Sequence, residues 1–186
     1  MLRVAIVGGL MAISIAAYAE SIEEKAQVCS ACHGANGLPE DPAIPIIWGQ
    51  NAGYLYLQFR DFQKGARKDE RMSAMSQTVP REDALKIAEY FAAKPWPKTK
   101  APAASKEDSA TAVAVNKSVV CTSCHLDEFQ GDSSVPRLAG QQRDYLAKTL
   151  ADFKSRARAN NPGMSGLMDT VKPDQLKAMA AYLAGL

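Results

Sequence analysis

One string of residue types occurs twice in this chain and limits what it can fold into. It reads Cys29-Ser-Ala-Cys32-His33, then Cys121-Thr-Ser-Cys124-His125. The two copies hold all four cysteines and both histidines of the 186 residues. No cysteine is left for a disulfide, and no histidine for another task. The strings lie 92 positions apart, and their surroundings repeat with them. Pro45 returns as Pro136, Gly49-Gln50 as Gly140-Gln141, Tyr54-Leu55 as Tyr145-Leu146 and Asp61-Phe62 as Asp152-Phe153, all 91 apart. The spacing is 92 again where Met72, Val79 and Tyr90 return as Met164, Val171 and Tyr182. Shifts of one residue belong in loops, where they cost little. The repeat predicts two domains of one fold, residues 20–94 and 111–186, each of ordinary domain size.

The remaining segments read as an address and a linker. Arg3, an uncharged apolar run from Val4 to Ala17, and Ala17-Tyr18-Ala19 have the layout of a secretory signal over residues 1–19, with cleavage expected after Ala19. The apolar run is short for a membrane span, which wants roughly 20 residues; an uncleaved anchor is the alternative. Residues 95–110 contain closely spaced prolines and little to bury, which predicts a semi-extended linker. Within the domains the periodicity is helical. Ala84, Ile87, Ala88 and Phe91 form one stripe, repeated by Leu176, Met179, Ala180 and Leu183. Leu55, Phe59 and Phe62 form a second, echoed by Leu146, Leu150 and Phe153. A helix is expected to lead into each Cys-x-x-Cys-His string, over roughly 21–32 and 113–124. No strand alternation competes, so the expected class is all-α. The long Gly/Pro/Asp-rich loops leave part of each core to a bound group.

Cys-x-x-Cys-His is the attachment signal of c-type haem. Thiols at i and i+3 share one side of a helical turn and can bond to the two vinyl groups along one porphyrin edge. The adjacent His then faces the iron. Cys29, Cys32, Cys121 and Cys124 are therefore expected to hold two covalent haem c groups, with His33 and His125 as proximal ligands. A four-thiolate zinc site is the competing reading. The recurring His and the 88 residues between the pairs weigh against it. A thioredoxin-like redox pair lacks its βαβ surroundings. With both histidines used, the sixth ligand falls to methionine, whose thioether raises the reduction potential. Met72 and Met164 each lie 43 residues after the first Cys of their copy, whereas Met75 matches Leu167 and Met168 matches Ser76. A ligand needed twice should appear in both copies, so Met72 and Met164 are the expected axial ligands. Pro45 and Pro136 are expected to offer carbonyls to the second ring nitrogen of each His. Trp48, Tyr54 and Tyr145 are expected along haem edges.

The paired motifs, Pro-x-x-x-Gly-Gln before a Tyr-Leu helix, and Met-Ser ahead of a final amphipathic helix together resemble the dihaem cytochrome c4 family. The likeness spans residues 20–186. It implies two tandem class I cytochrome c domains, each with a low-spin His/Met haem, the haems facing one another between the domains. It also implies electron transfer between a quinol-oxidising complex (quinol–cytochrome c reductase) and a terminal oxidase, often with loose membrane association. In the family the methionine ligand falls seven residues before a Val or Leu that precedes the last helix; Met72 with Val79 and Met164 with Val171 fit. Trp48 departs from the pattern, standing where a small residue such as Ala139 is usual, and Pro80 stands where a capping Ser is expected.

These readings predict a periplasmic electron carrier and not an enzyme, since iron held by His and Met has no open position for chemistry. The alternatives are a cytochrome subunit of a periplasmic dehydrogenase, such as a sulfide-oxidising flavoprotein, and, less favoured, a dihaem peroxidase or thiosulfate-oxidising enzyme. A net charge of +2 gives no basis for nucleic-acid binding, and 47% hydrophobic against 23% charged residues excludes a mainly disordered chain. Arg143, Lys148, Lys154, Arg156 and Arg158 cluster in sequence. They read first as a solvated helix face, and second as a patch for an acidic redox partner.

Overall fold

A computed structural model describes residues 20–186. The expected leader and its cleavage after Ala19 lie outside the described residues. The described chain is helical, with no strand beyond an isolated bridge between Asp132 and Val135. The first half contains α1 (Ile22–His33), α2 (Ala52–Gln63), α3 (Glu70–Thr78) and α4 (Arg81–Ala92). The second contains α5 (Lys106–Val119), α6 (Thr122–His125), α7 (Arg143–Ser155), α8 (Pro162–Asp169) and α9 (Pro173–Ala184).

Packing repeats as the sequence does. The last helix of each half is its hub: α4 packs on α1 and α2, and α9 on α5 and α7. The expected stripes face inward. Ala84, Ile87, Ala88 and Phe91 are buried on α4, as are Leu176, Met179, Ala180 and Leu183 on α9. The shorter α3 and α8 pack on α2 and α7. Hydrophobic periodicity did not reveal these two, because their starts are set by caps. Asp69 accepts from the Met72 N–H at 3.0 Å, and Asn161 from the Met164 N–H at 3.1 Å. Such caps satisfy amides that a helix start leaves without partners.

The entry helices differ between halves. α1 opens on a capping box, in which Ser21 accepts from the Glu24 N–H at 3.2 Å and Glu24 accepts from the Ser21 N–H at 2.8 Å. It then runs unbroken through Cys29, Cys32 and His33. The single helix expected over 113–124 is instead two pieces. Ser105 caps α5 through the Asp108 N–H, so the helix begins five residues inside the expected 95–110 linker. It ends at Val119. Val120 is left-handed (φ 52°), and the Asn116 side chain accepts from the Thr122 N–H, diverting the chain before Cys121. Residues 95–105 form no helix. Pro80 is the N-cap of α4 without a side-chain bond; its carbonyl accepts from Asp83 and Ala84.

Loop geometry is conserved between the halves where residue type is not. Gly34, Gly37 and Gly65 have φ of 86°, 81° and 70°; their counterparts Leu126, Phe129 and Arg156 have 64°, 52° and 62°. A Cβ on Gly34 would lie 2.2 Å from the Leu38 carbonyl oxygen. Leu126 reaches φ 64°, ψ 168°, a region that essentially only glycine occupies at ease. Leu126→Gly is therefore expected to stabilise the protein by about 1 kcal/mol, seen as a higher Tm of the haem-loaded protein. Gly34→Ala is expected to lower that Tm.

Candidate haem sites and the domain interface

Each Cys-x-x-Cys-His string ends on a buried imidazole. His33 and His125 are both 6% exposed. His33 Nδ1 donates to the Pro45 carbonyl at 2.8 Å, and His125 Nδ1 donates to the Pro136 carbonyl at 3.0 Å. A carbonyl can only accept, so Nδ1 carries the proton and Nε2 keeps its lone pair. Burial pushes both imidazoles below the ordinary histidine range, against the opposing effect of the carbonyl. Each is thus neutral with Nε2 turned away from the carbonyl of Pro45 or Pro136 that holds the ring. The charges of Arg71 and Asp69 act on His33, which brings the start of α3 close to that ring.

All four cysteines are free, Cys29 and Cys121 half-buried, Cys32 and Cys124 exposed. Burial pushes the Cys29 and Cys121 thiols up. Cys29 borders the first core cluster around Ile87 and Phe91; Cys121 and Met164 border the second. Met72 and Met164 occupy the same third position of a capped helix and are half-buried. Met168 and Met179, which sequence reasoning set aside as packing residues, are 4% exposed within the second core. The two cysteine pairs do not converge: among the described residues no group of three or more His, Cys, Asp and Glu could hold a metal between them. Soft thiols on one side, a neutral imidazole beside them and a thioether repeated in register suit a haem iron better than a protein-only zinc site.

The Gly-Gln motif, met in the sequence only as a repeat marker, builds the domain interface. The amides of Gly49 and Gly140 donate to the carbonyls of Phe91 and Leu183, fixing each loop to its own last helix. The glutamines then cross. Gln50 pairs through both side-chain ends with the backbone of Arg137, accepting at 2.8 Å and donating at 2.9 Å. Gln141 does the same to Ile46, at 2.8 and 2.9 Å. Tyr54 N–H donates to Ser133, and Tyr145 N–H to Pro42. Each of these donors and acceptors has its counterpart 91 residues away, so this part of the contact is self-complementary, as across a twofold axis. The linker joins in: the Arg137 guanidinium stacks 4.8 Å from the Trp96 ring centroid, and a Cβ on Gly49 would lie 2.7 Å from the Trp96 amide.

The tyrosines of the repeat also turn into this interface. Arg67 stacks on Phe62 of its own half and donates to the Tyr145 hydroxyl at 3.1 Å. Arg158 stacks on Phe153 and donates to the Tyr54 hydroxyl at 3.3 Å. Gln58 accepts from both guanidinium groups and from Asn160. Neither Arg67 nor Arg158 forms an ion pair among the described residues; the nearby Asp61 is engaged by Arg60 and Asn160. Burial raises the Tyr145 phenol, but the positive charges of Arg67 and Arg158 outweigh it and hold the group below the usual phenol range. The cluster carries more positive charge than its own side chains balance. Arg158 departs from the expected solvated face, on which Arg143, Lys148 and Arg156 stay exposed. Arg158 is 6% exposed at the domain interface, Lys148 pairs with Asp152, and Arg156 pairs with Asp169 at 2.7 Å. Trp48 packs on the first core cluster, and its buried Nε1 has no partner among the described residues.

Comparison with known proteins agrees with this geometry. The family model for cytochrome c matches residues 111–186. Cytochrome c4 of Thiocapsa roseopersicina is 34% identical over 170 residues, covering 86% of this chain and 87% of the relative. The chain belongs to the cytochrome c4 family. The structure of reduced recombinant cytochrome c4 from Pseudomonas stutzeri superposes with a TM-score of 0.79 at 27% identity, covering 89% of this chain and 96% of that one. A protein of Thiomonas intermedia named thiosulfate dehydrogenase electron acceptor is 32% identical, covering 99% of this chain and 89% of its own. Cytochrome c4 proteins are electron-transfer proteins carrying two covalent haem c groups, and the two motif copies here match that number. Arg158→Met keeps the stem over Phe153 but removes the bonds to Tyr54 and Gln58. It is expected to cost roughly 1.5–3 kcal/mol in denaturant unfolding, the range for hydrogen bonds to a charged group.

Proposed function

We propose that this protein is a periplasmic dihaem electron carrier. Cys29 and Cys32 would hold one haem and Cys121 and Cys124 the other, with His33 and Met72 as the iron-binding side chains of the first and His125 and Met164 as those of the second. The observation that carries this reading is the twice-built proximal arrangement: a buried neutral imidazole, beside two free thiols, tied through Nδ1 to a proline carbonyl. Each bound haem supplies a one-electron Fe(III)/Fe(II) couple. The chain's own residues do the rest. The imidazole nitrogens and thioether sulfurs of these residues would bind the iron and leave it no open position, so that a change of redox state would need little rearrangement. The thioether favours the reduced state. Arg67, Arg158 and the two tyrosine hydroxyls supply positive charge and donors, for which the haem propionates are suitable anions. Trp48, Tyr54 and Tyr145 would line the haem edges, and the Trp48 N–H, without a partner among the described residues, would be a further donor.

The donor is proposed to be a quinol-oxidising complex and the acceptor a terminal oxidase. A second reading, favoured by the Thiomonas relative, makes a periplasmic dehydrogenase of sulfur compounds the donor. Stopped-flow reduction by each purified donor decides between them: rapid reduction by quinol–cytochrome c reductase supports the first, and rapid reduction by thiosulfate dehydrogenase alone supports the second. No helix among the described residues is long and apolar enough to cross a membrane.

Two outcomes test the ligand assignment. Intact mass spectrometry of Cys29→Ala/Cys32→Ala protein is expected to find one covalent haem in place of two. Met72→His is expected to lower the potential of one haem and halve the far-red absorption of sulfur-bound ferric iron. An undiminished band would overturn Met72 as a ligand.

A further inference from the structure

The crossed glutamines meet the proximal histidines through a single peptide group. The carbonyl that accepts from His33 Nδ1 is that of Pro45, and the N–H of the same peptide unit, on Ile46, donates to Gln141 Oε1 at 2.8 Å. In the other half, Pro136 accepts from His125 and the adjoining Arg137 N–H donates to Gln50 Oε1 at 2.8 Å. The peptide is planar and conjugated, so its two ends cannot move independently. An acceptor on the N–H polarises the unit and makes the carbonyl a stronger acceptor. Both glutamines are 3% exposed, and each is steadied by the next residue's own amide, Asn51 or Gln142. Nothing competes with them as solvent would.

We infer that Gln141 is a positioning residue for the haem of the first domain, and Gln50 for the haem of the second. Each acts across the interface on the imidazole it does not share a domain with. This rests on His33 and His125 being the iron ligands. A stronger bond at Nδ1 makes the imidazole a more basic ligand, which favours ferric iron. The potential of each haem therefore depends on the other domain being docked, and the interface is part of both redox sites. Proline makes the device workable, since its fixed φ leaves the carbonyl little freedom other than what the glutamine takes away.

The test compares haem-loaded wild-type, Gln141→Met and Gln50→Met proteins by spectroelectrochemistry and paramagnetic proton NMR. Methionine keeps the length and volume of glutamine and removes its hydrogen bonds. Gln141→Met is expected to raise the potential of the first-domain haem and shift the His33 Nδ1–H resonance, with the second haem unmoved. Gln50→Met is expected to do the reverse. Gln141→Glu keeps an acceptor for the Ile46 N–H and is expected to hold the first-domain potential at or below wild type, which reads out the same contact should the methionine variant fold poorly. Equal shifts at both haems, a shift confined to the variant's own domain, or no shift at either haem would overturn the inference. Failure of the ligand assignment itself would show earlier: wild-type protein would then lack hyperfine-shifted imidazole resonances from the two histidines.

Discussion

Each imidazole gives its Nδ1 proton to a carbonyl that a proline holds in place, and the rest of the structure is arranged around that bond. It fixes the tautomer and aims Nε2. It also dictates where the loop after the Cys-x-x-Cys-His string must run, because Pro45 and Pro136 have to return to within hydrogen-bonding distance of a ring eleven or twelve residues behind them. The Gly-Gln turn follows from this requirement. The glycine lets the loop press against the last helix, and the glutamine leaves toward the other domain.

The interface shows why a duplication can become more than two copies in tandem. Residues 91 apart exchange partners: Gln50 with Arg137, Gln141 with Ile46, Arg67 with Tyr145, Arg158 with Tyr54. A contact that satisfies one copy satisfies the other, so one set of residue types stabilises both sides. The symmetry is not complete. Asn160, in the stretch where the second half regains a residue, donates to Gln58 and Asp61 without a first-half counterpart. The first half meets its left-handed loop positions with glycines, whereas the second uses Leu126, Phe129 and Arg156. The second attachment string also follows a broken helix, not a continuous one. Two sites built from one plan thus sit on different backbone frameworks.

The charge pattern of the interface carries a related lesson. Read along the sequence, Arg143 to Arg158 is a basic run that belongs on a solvated face. Folded, the run separates. Lys148 and Arg156 pair with carboxylates of their own half, while Arg158 is carried to the domain boundary and laid over Phe153. A guanidinium can be placed there because its planar fork finds Tyr54, Gln58 and Asn160 at once, and because haem carboxylates would offset its charge.

Much of the site was legible in the residues. Cys-x-x-Cys-His is a local motif whose chemistry depends on spacing along one turn, and the candidate methionines are picked out by register alone. The stripes of α4 and α9 were legible for a like reason, since a buried helical face repeats every 3.6 residues. What lay beyond reach was whatever depends on groups far apart in sequence. The break at Val120 depends on Asn116 reaching Thr122, and α3 and α8 start where one side chain caps an amide instead of where a stripe begins. The amino-acid sequence by itself determined two helical domains, their haem chemistry and the identity of the candidate ligands, because these are written in short-range spacing. Only the tertiary structure decided that each domain's glutamine holds the other's proximal loop and that Arg67 and Arg158 each reach a tyrosine of the opposite half, because hydrogen bonds across 87 or 95 residues leave no periodic trace in the chain.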